Sequence, residues 1–255
     1  MQYPNKFKLS RKENIFLAKK ELVRSIWSGV NLEGFNMTYP ETETVLNRGT
    51  LVNAEVDAII CANNLKRGWN YLLGQVQAGK PISLREINRI VAEGDSLDPG
   101  NFRTGEGGIV GTSYRPPIKP REQIEKELSE ILSIESPTHR ALELFAWGSK
   151  GQHFWDGNKR TSFMATNDIL IRHGAGLLTV TTDKLQDFNQ VLHEYYEHDK
   201  KDQLLDYLYD QTISAGDFSQ THRVDPLSKI SQEIDQLFEN MPYDKTSDGN
   251  DGPNV

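Results

Sequence analysis

One stretch constrains this chain more than any other: Gly151-Gln152-His153-Phe154-Trp155-Asp156-Gly157-Asn158-Lys159-Arg160-Thr161, which runs directly into the helix-favouring segment from Ser162 to Gly174. Loop residues give way to helix at Asn158. The first turn of a helix carries backbone N–H groups with no partner inside the helix, and the macrodipole makes them partly positive. Gly157 lets the backbone come close to a ligand, and Lys159 and Arg160 add two full charges beside those N–H groups. The pattern predicts a phosphate site at a helix N-terminus. Asp156, one residue earlier, is placed to hold a divalent cation bridging phosphates, since Mg²⁺ takes one or two carboxylates and completes its shell with water and phosphate oxygen. An isolated Asp-Gly-Asn, by contrast, is usually a plain turn followed by solvated side chains.

The rest of the chain supplies helices to pack around that segment. Apolar residues at helical spacing mark Arg11 to Trp27, Ala54 to Leu73, Glu122 to Leu132 and Thr138 to Trp147. Tyr39-Pro40-Glu41 has the look of a helix start, and Ser83 with Glu86 three residues on is a capping-box pattern. Leu97 to Pro117 breaks the pattern with Gly and Pro and reads as a β-hairpin or extended flap. Leu177 to Val180 is a short β-prone piece, and Asp183 to Tyr209 gives one or two more helices. His193 and His198 are five apart, off the spacing of a helical metal pair, which favours solvated or packed histidines.

Phe154-x-Asp156-Gly157-Asn158-Lys159-Arg160 resembles the signature of the Fic/Doc family, H-P-F-x-(D/E)-(G/A)-N-(G/K)-R followed by x-x-R. The resemblance spans roughly Arg11 to Tyr209. It implies a mainly α fold, a Fic-type helical bundle with a small β-hairpin flap. It also implies an activity: transfer of AMP from ATP to a hydroxyl of a target protein, with Mg²⁺ as cofactor and ATP as substrate. Under this resemblance Asp156 binds Mg²⁺, and Gly157, Asn158 and Lys159 form the anion-binding turn. Arg160 neutralises phosphate charge and Phe154 anchors the loop. The flap, with Arg103, Ile109 and Val110, holds the target segment as an added strand. Glu33-Gly34 resembles the end of an inhibitory pattern, (S/T)-x-x-x-E-(G/N), whose glutamate blocks productive ATP binding. On the residues alone, Gly34 is an ordinary helix cap.

Two departures bear on mechanism. Gln152 falls where the family has its catalytic histidine, with His153 in the place of proline, and the motif's final arginine falls on Phe163. An amide cannot serve as a base, and general base catalysis is typically worth roughly 10²–10⁴-fold. Either His153 turns into the site, or the base comes from elsewhere, or the protein is a Fic-fold module that binds nucleotide or protein without turnover. A Doc-like kinase, whose motif also carries Lys after Asn, is a further alternative. With Phe163 at the arginine position, Arg160 becomes the expected partner of Glu33.

Composition narrows the setting. A net charge of −7 argues against nucleic acid as the main partner, and the single cysteine, Cys61, excludes an intrachain disulfide. No run approaches membrane-spanning length and the first residues lack a signal-peptide core, so a cytoplasmic protein is expected. The expected organisation is a Fic-like domain over residues 1–215 and a C-terminal helix with a disordered tail over 216–255. Bacterial toxin–antitoxin systems are the setting the resemblance implies, and Fic domains often form homo-oligomers.

Overall fold

The computed structural model describes residues 3–219. The chain divides into two compact units, Met1–Gly216 and Asp217–Val255. The amphipathic stretch from Pro226 to Asn240 and the polar tail from Tyr243 lie outside the described residues.

The first unit is mainly helical. Its helices are α1 Arg11–Lys20, α2 Leu22–Leu32, α3 Tyr39–Arg48, α4 Val56–Gln77, α5 Leu84–Val91, α6 Arg121–Leu132, α7 Pro137–Gly151, α8 Asn158–Arg172, α9 Leu185–His198 and α10 Lys201–Tyr207. Capping chemistry sets several of their starts. Ser10 with Glu13 and Thr38 with Glu41 form reciprocal capping boxes, and Ser83 and Ser136 each accept a backbone N–H three residues on. The single helix suggested between Arg11 and Trp27 is two, because the chain turns at Glu21, which caps α1 and opens α2.

Helix α8 is the centre of the core, with every residue from Arg160 to Ile171 buried. A helix apolar on one side only could not sit there, and α8 solves the problem with small and neutral polar residues that find partners. Thr166 donates to the Ala141 carbonyl of α7 at 3.1 Å, and Ser162 donates to Asn158 O at 2.7 Å. Close approach of α7 depends on Gly148, where an added Cβ would lie 2.3 Å from Ser162 Oγ. Phe163 packs edge-on to Trp69 of α4, with ring centroids 6.5 Å apart.

Two strands, β1 Leu177–Leu178 and β2 Ile213–Ser214, pair antiparallel with Leu177 opposite Ser214. Buried asparagines tie this edge to the helices. Asn167 of α8 exchanges hydrogen bonds with Leu178 N and O, and Asn14 of α1 does the same with Gly176.

The small sheet is therefore not the flap. Residues 97–117 form no paired strands, only an isolated bridge from Phe102 to Phe154 and turns in which Asn101 N donates to Asp98 O and Thr112 N to Ile109 O. Four glycines at 105, 107, 108 and 111 and the pair Pro116-Pro117 leave too few consecutive residues for a hairpin ladder.

Candidate functional site

The loop between α7 and α8 is shaped by two residues in the left-handed region. Gln152 ends α7 at φ 46, with its side-chain amide donating to Ser149 O at 2.7 Å. Gly157 begins α8 at φ 71, a conformation that favours glycine, and a Cβ there would meet Ala92 Cβ at 2.9 Å. Between them the Asn158 side chain acts as a staple. It accepts from Phe154 N at 2.9 Å and donates to Phe154 O at 2.9 Å and to Gln152 Oε1 at 3.1 Å. Asn158 is thus committed to loop shape, leaving ligand contact at this turn to backbone N–H groups and to the side chains around it.

Two residues that sequence reading missed support this loop. Asn88 of α5 donates to Asp156 O at 2.8 Å and Thr161 Oγ1 at 3.1 Å, while accepting from Gly100 N at 2.9 Å. It joins the loop, the start of α8 and the base of the flap. The available signal was a polar residue on the apolar Leu84, Ile87, Val91 face of an otherwise amphipathic helix. Asp95, just beyond α5, pairs with Arg160 Nη1 at 2.7 Å and carried no sequence signal.

Arg160 is 5% exposed and surrounded by acceptors. Besides Asp95 it donates to Val91 O at 2.7 Å and to Asp156 Oδ1 at 3.0 Å, and its Nε lies 3.7 Å from Glu33 Oε2. Burial alone would lower its pKa, but Glu33, Asp95 and Asp156 outweigh it and hold the guanidinium protonated. Glu33 sits immediately after α2, with its Oε1 3.7 Å from Lys159 Nζ, and Lys159 also donates to the Leu32 carbonyl at the end of that helix. The structure therefore brings together Glu33, Asp156, Lys159 and Arg160.

It separates Gln152 from His153. Gln152 lines a cleft of about 430 Å³ together with Glu33, Asp156, Gly157, Asn158 and Lys159. His153 faces the other way, its ring against Trp147 with centroids 4.2 Å apart and planes tilted by 36°, bordering a small internal void between α7 and α8. Its Nε2 is buried without a partner. Burial, helped by the Lys119 charge, depresses the imidazole from its usual 6.5 to about 4, so it is neutral at physiological pH.

The cleft is walled by α9 and by flap residues Gly108 to Thr112. Asn189, Leu192, His193 and Tyr196 line it, which places His193 at the cleft and not merely on an outer surface. Val110 is fully exposed and Ile109 partly so. Arg103 is buried and acts as the flap's clamp, donating to the carbonyls of Gln152, Gly105, Pro116 and Pro117. Ser113 holds the far end through its N–H and hydroxyl to Glu197 of α9.

Among the described residues no cluster of three His, Cys, Asp or Glu side chains could enclose a metal ion. Asp156 is different in kind: a half-exposed carboxylate at the cleft, beside an N-terminal helix turn. One carboxylate with phosphate oxygens and water suits Mg²⁺, so the residues fit that ion bound together with a nucleotide.

A family model described as Fic/DOC family matches residues 81–170. The matched segment runs from the residues before α5 through the flap to the middle of α8, and so contains the whole Asn88, Asp95, Asp156 and Arg160 constellation. The fold agrees. The chain is similar to a Fic domain containing signaling protein from Bacteroides thetaiotaomicron, at 18% identity and TM-score 0.62, over 79% of this chain and 86% of that one. It is also similar to Fic-1 from C. elegans, at 17% identity and TM-score 0.65, over 89% and 67%. A Fic family protein from Desulfovibrio desulfuricans matches at 18% identity and TM-score 0.56, over 85% and 68%. No curated protein matches the chain. No helix among the described residues is long and apolar enough to cross a membrane.

Proposed function

We propose that the cleft is a Fic-type nucleotide site that binds ATP with Mg²⁺ and transfers AMP slowly to a hydroxyl of a target protein. The observation that carries this reading is the N-terminus of α8 opening into the cleft at Gly157, with Asp156 and Lys159 beside it. Backbone N–H groups there meet the phosphates, Lys159 and Arg160 offset their charge, and Asp156 holds the ion. Mg²⁺ supplies charge neutralisation at the phosphates when bound. The 109–112 segment of the flap presents the target, with Val110 exposed toward it.

The target hydroxyl would attack the α-phosphorus, pyrophosphate would leave as the α–β bond breaks, and the hydroxyl proton would pass to water, a slow path because no base is in place. Gln152 occupies the position that the motif gives to histidine, and His153 is turned into the core. What remains is positioning and electrostatic stabilisation, which phosphoryl and nucleotidyl transfer use heavily. His153's orientation favours a second reading, in which the same cleft holds nucleotide without turnover.

Incubation with ATP labelled at either the α or the γ phosphorus tests the proposal, using a bacterial lysate as target and comparing wild type with Gln152→His. Label from the α position, faint in wild type and stronger in Gln152→His, is the expected result. Label from γ alone points instead to a Doc-like kinase. Silence in both proteins, with ATP still bound, supports the binding module.

A further inference from the structure

A second cavity, of about 520 Å³, lies at the base of the flap, away from the nucleotide cleft. Its walls include four cationic side chains, Arg85, Arg103, Lys119 and Arg121, and no Asp or Glu lines it. That is notable in a chain with a net charge of −7. Lys119 and Arg121 are balanced by Glu127 and Glu125 at 2.7 and 2.6 Å. Arg85 and Arg103 are not: among the described residues they donate only to neutral oxygens, Arg85 to Gly100 O and Asn101 Oδ1, Arg103 to four backbone carbonyls. Arg103 is only 5% exposed, its guanidinium held by those carbonyls behind the wall, so water screens its charge poorly.

We propose that this groove is a docking site for an extended Asp- and Glu-rich segment of a partner protein. Charge complementarity selects acidic side chains, and the local backbone suits a peptide. Residues 102–104 and 118–120 border the groove without pairing to a strand beyond the single Phe102–Phe154 bridge, and Ile118, 48% exposed, offers an apolar contact. A nucleic acid fits less well. The one aromatic ring lining the groove, Phe102, packs on Phe154 at 5.1 Å and is not free to stack a base. The groove does not depend on transfer chemistry in the other cleft, since binding alone is its readout.

The test is fluorescence anisotropy of a short fluorescein-labelled Glu- and Asp-rich peptide against the full chain. Arg85→Glu and the exposed Arg121→Glu should each weaken binding by roughly tenfold or more, as reversal of an interfacial charge does. Arg24→Glu, the same charge change on α2 outside the groove, should leave it within about twofold. Raising ionic strength from about 0.1 to 1 M, which shortens the screening length from roughly 10 to 3 Å, should abolish it. The proposal is overturned by no binding at low salt, by equal losses in Arg24→Glu and the groove variants, or by a single-stranded oligonucleotide that competes as well as unlabelled peptide. Because Arg85 also holds Gly100 and Asn101, Arg121→Glu keeps the result interpretable if Arg85→Glu misfolds.

Discussion

Glu33 Oε2 and Arg160 Nε lie 3.7 Å apart, closing an ionic contact between the end of α2 and the first turn of α8 across 127 residues of chain. The contact sets a carboxylate where the phosphates of a nucleotide would need Arg160. Glu33→Gly should therefore strengthen ATP binding. The gain is limited to roughly three- to tenfold, about 0.7–1.4 kcal/mol, because Asp95 and Asp156 still hold the guanidinium. Isothermal titration of both proteins with ATP and Mg²⁺ reads the difference directly, and an unchanged affinity would remove Glu33 from any inhibitory role.

Arg160 itself is a structural cation, holding Asp95, Asp156 and the Val91 carbonyl. Arg160→Met leaves Glu33, Asp95 and Asp156 facing one another without a counter-charge. Breaking a buried pair on one side typically costs about 3–5 kcal/mol, and urea denaturation should show a loss in that range. Pairing the substitution with Asp95→Asn should recover part of it, because one of the stranded carboxylates is then gone.

His153 makes stability depend on pH in a defined direction. Its folded pKa is held near 4, below the 6.5 of an unfolded chain. Between those values the unfolded state takes up a proton that the folded state refuses, so stability falls as pH drops from 6.5 toward 4. The full effect is about 3 kcal/mol. His153→Phe keeps a ring against Trp147 and removes the titration, so its stability profile from pH 4 to 7 should be flatter than that of wild type by this amount. Parallel profiles for the two proteins would contradict the buried, neutral imidazole.

The flap depends on Arg103. Arg103→Lys keeps a charge but cannot span four carbonyls in three directions. Limited proteolysis should cut residues 104–115 of this variant about tenfold faster than wild type, because the segment has no strand pairing to hold it. Equal cleavage rates would show that the Ser113 to Glu197 contacts suffice.

Much of the architecture was legible because it is local. The helix start at Tyr39, the N-cap at Ser83, the β-prone Leu177–Leu178 and the loop-to-helix junction at Asn158 all depend on residues within a few positions of one another, and all are found, although at Ser83 only the serine half of the capping box forms. The expected meeting of Glu33 and Arg160 is also present, because the motif fixes one partner and the α2 terminus the other. What could not be read was tertiary. Asp95 and Asn88 reach the loop only because α5 crosses α8, and nothing adjacent in sequence announces them. The direction of His153 follows from its carbonyl accepting Arg103 N at 2.9 Å and its ring meeting Trp147, both set by distant packing. For 97–117 the sequence left a β-hairpin or an extended flap open, and the structure has the flap without paired arms, since Gly and Pro mark a turn-rich segment but do not say whether its arms pair.

If the α8 N-terminus holds nucleotide phosphates, calorimetric titration of ATP with and without Mg²⁺ into wild type, Asp156→Ala and Lys159→Ala will read it. Wild type should bind ATP more tightly with Mg²⁺, Asp156→Ala should lose that Mg²⁺ dependence, and Lys159→Ala should bind about tenfold more weakly. No ATP binding by wild type, or affinities unchanged in both variants, would contradict the assignment of this cleft to nucleotide.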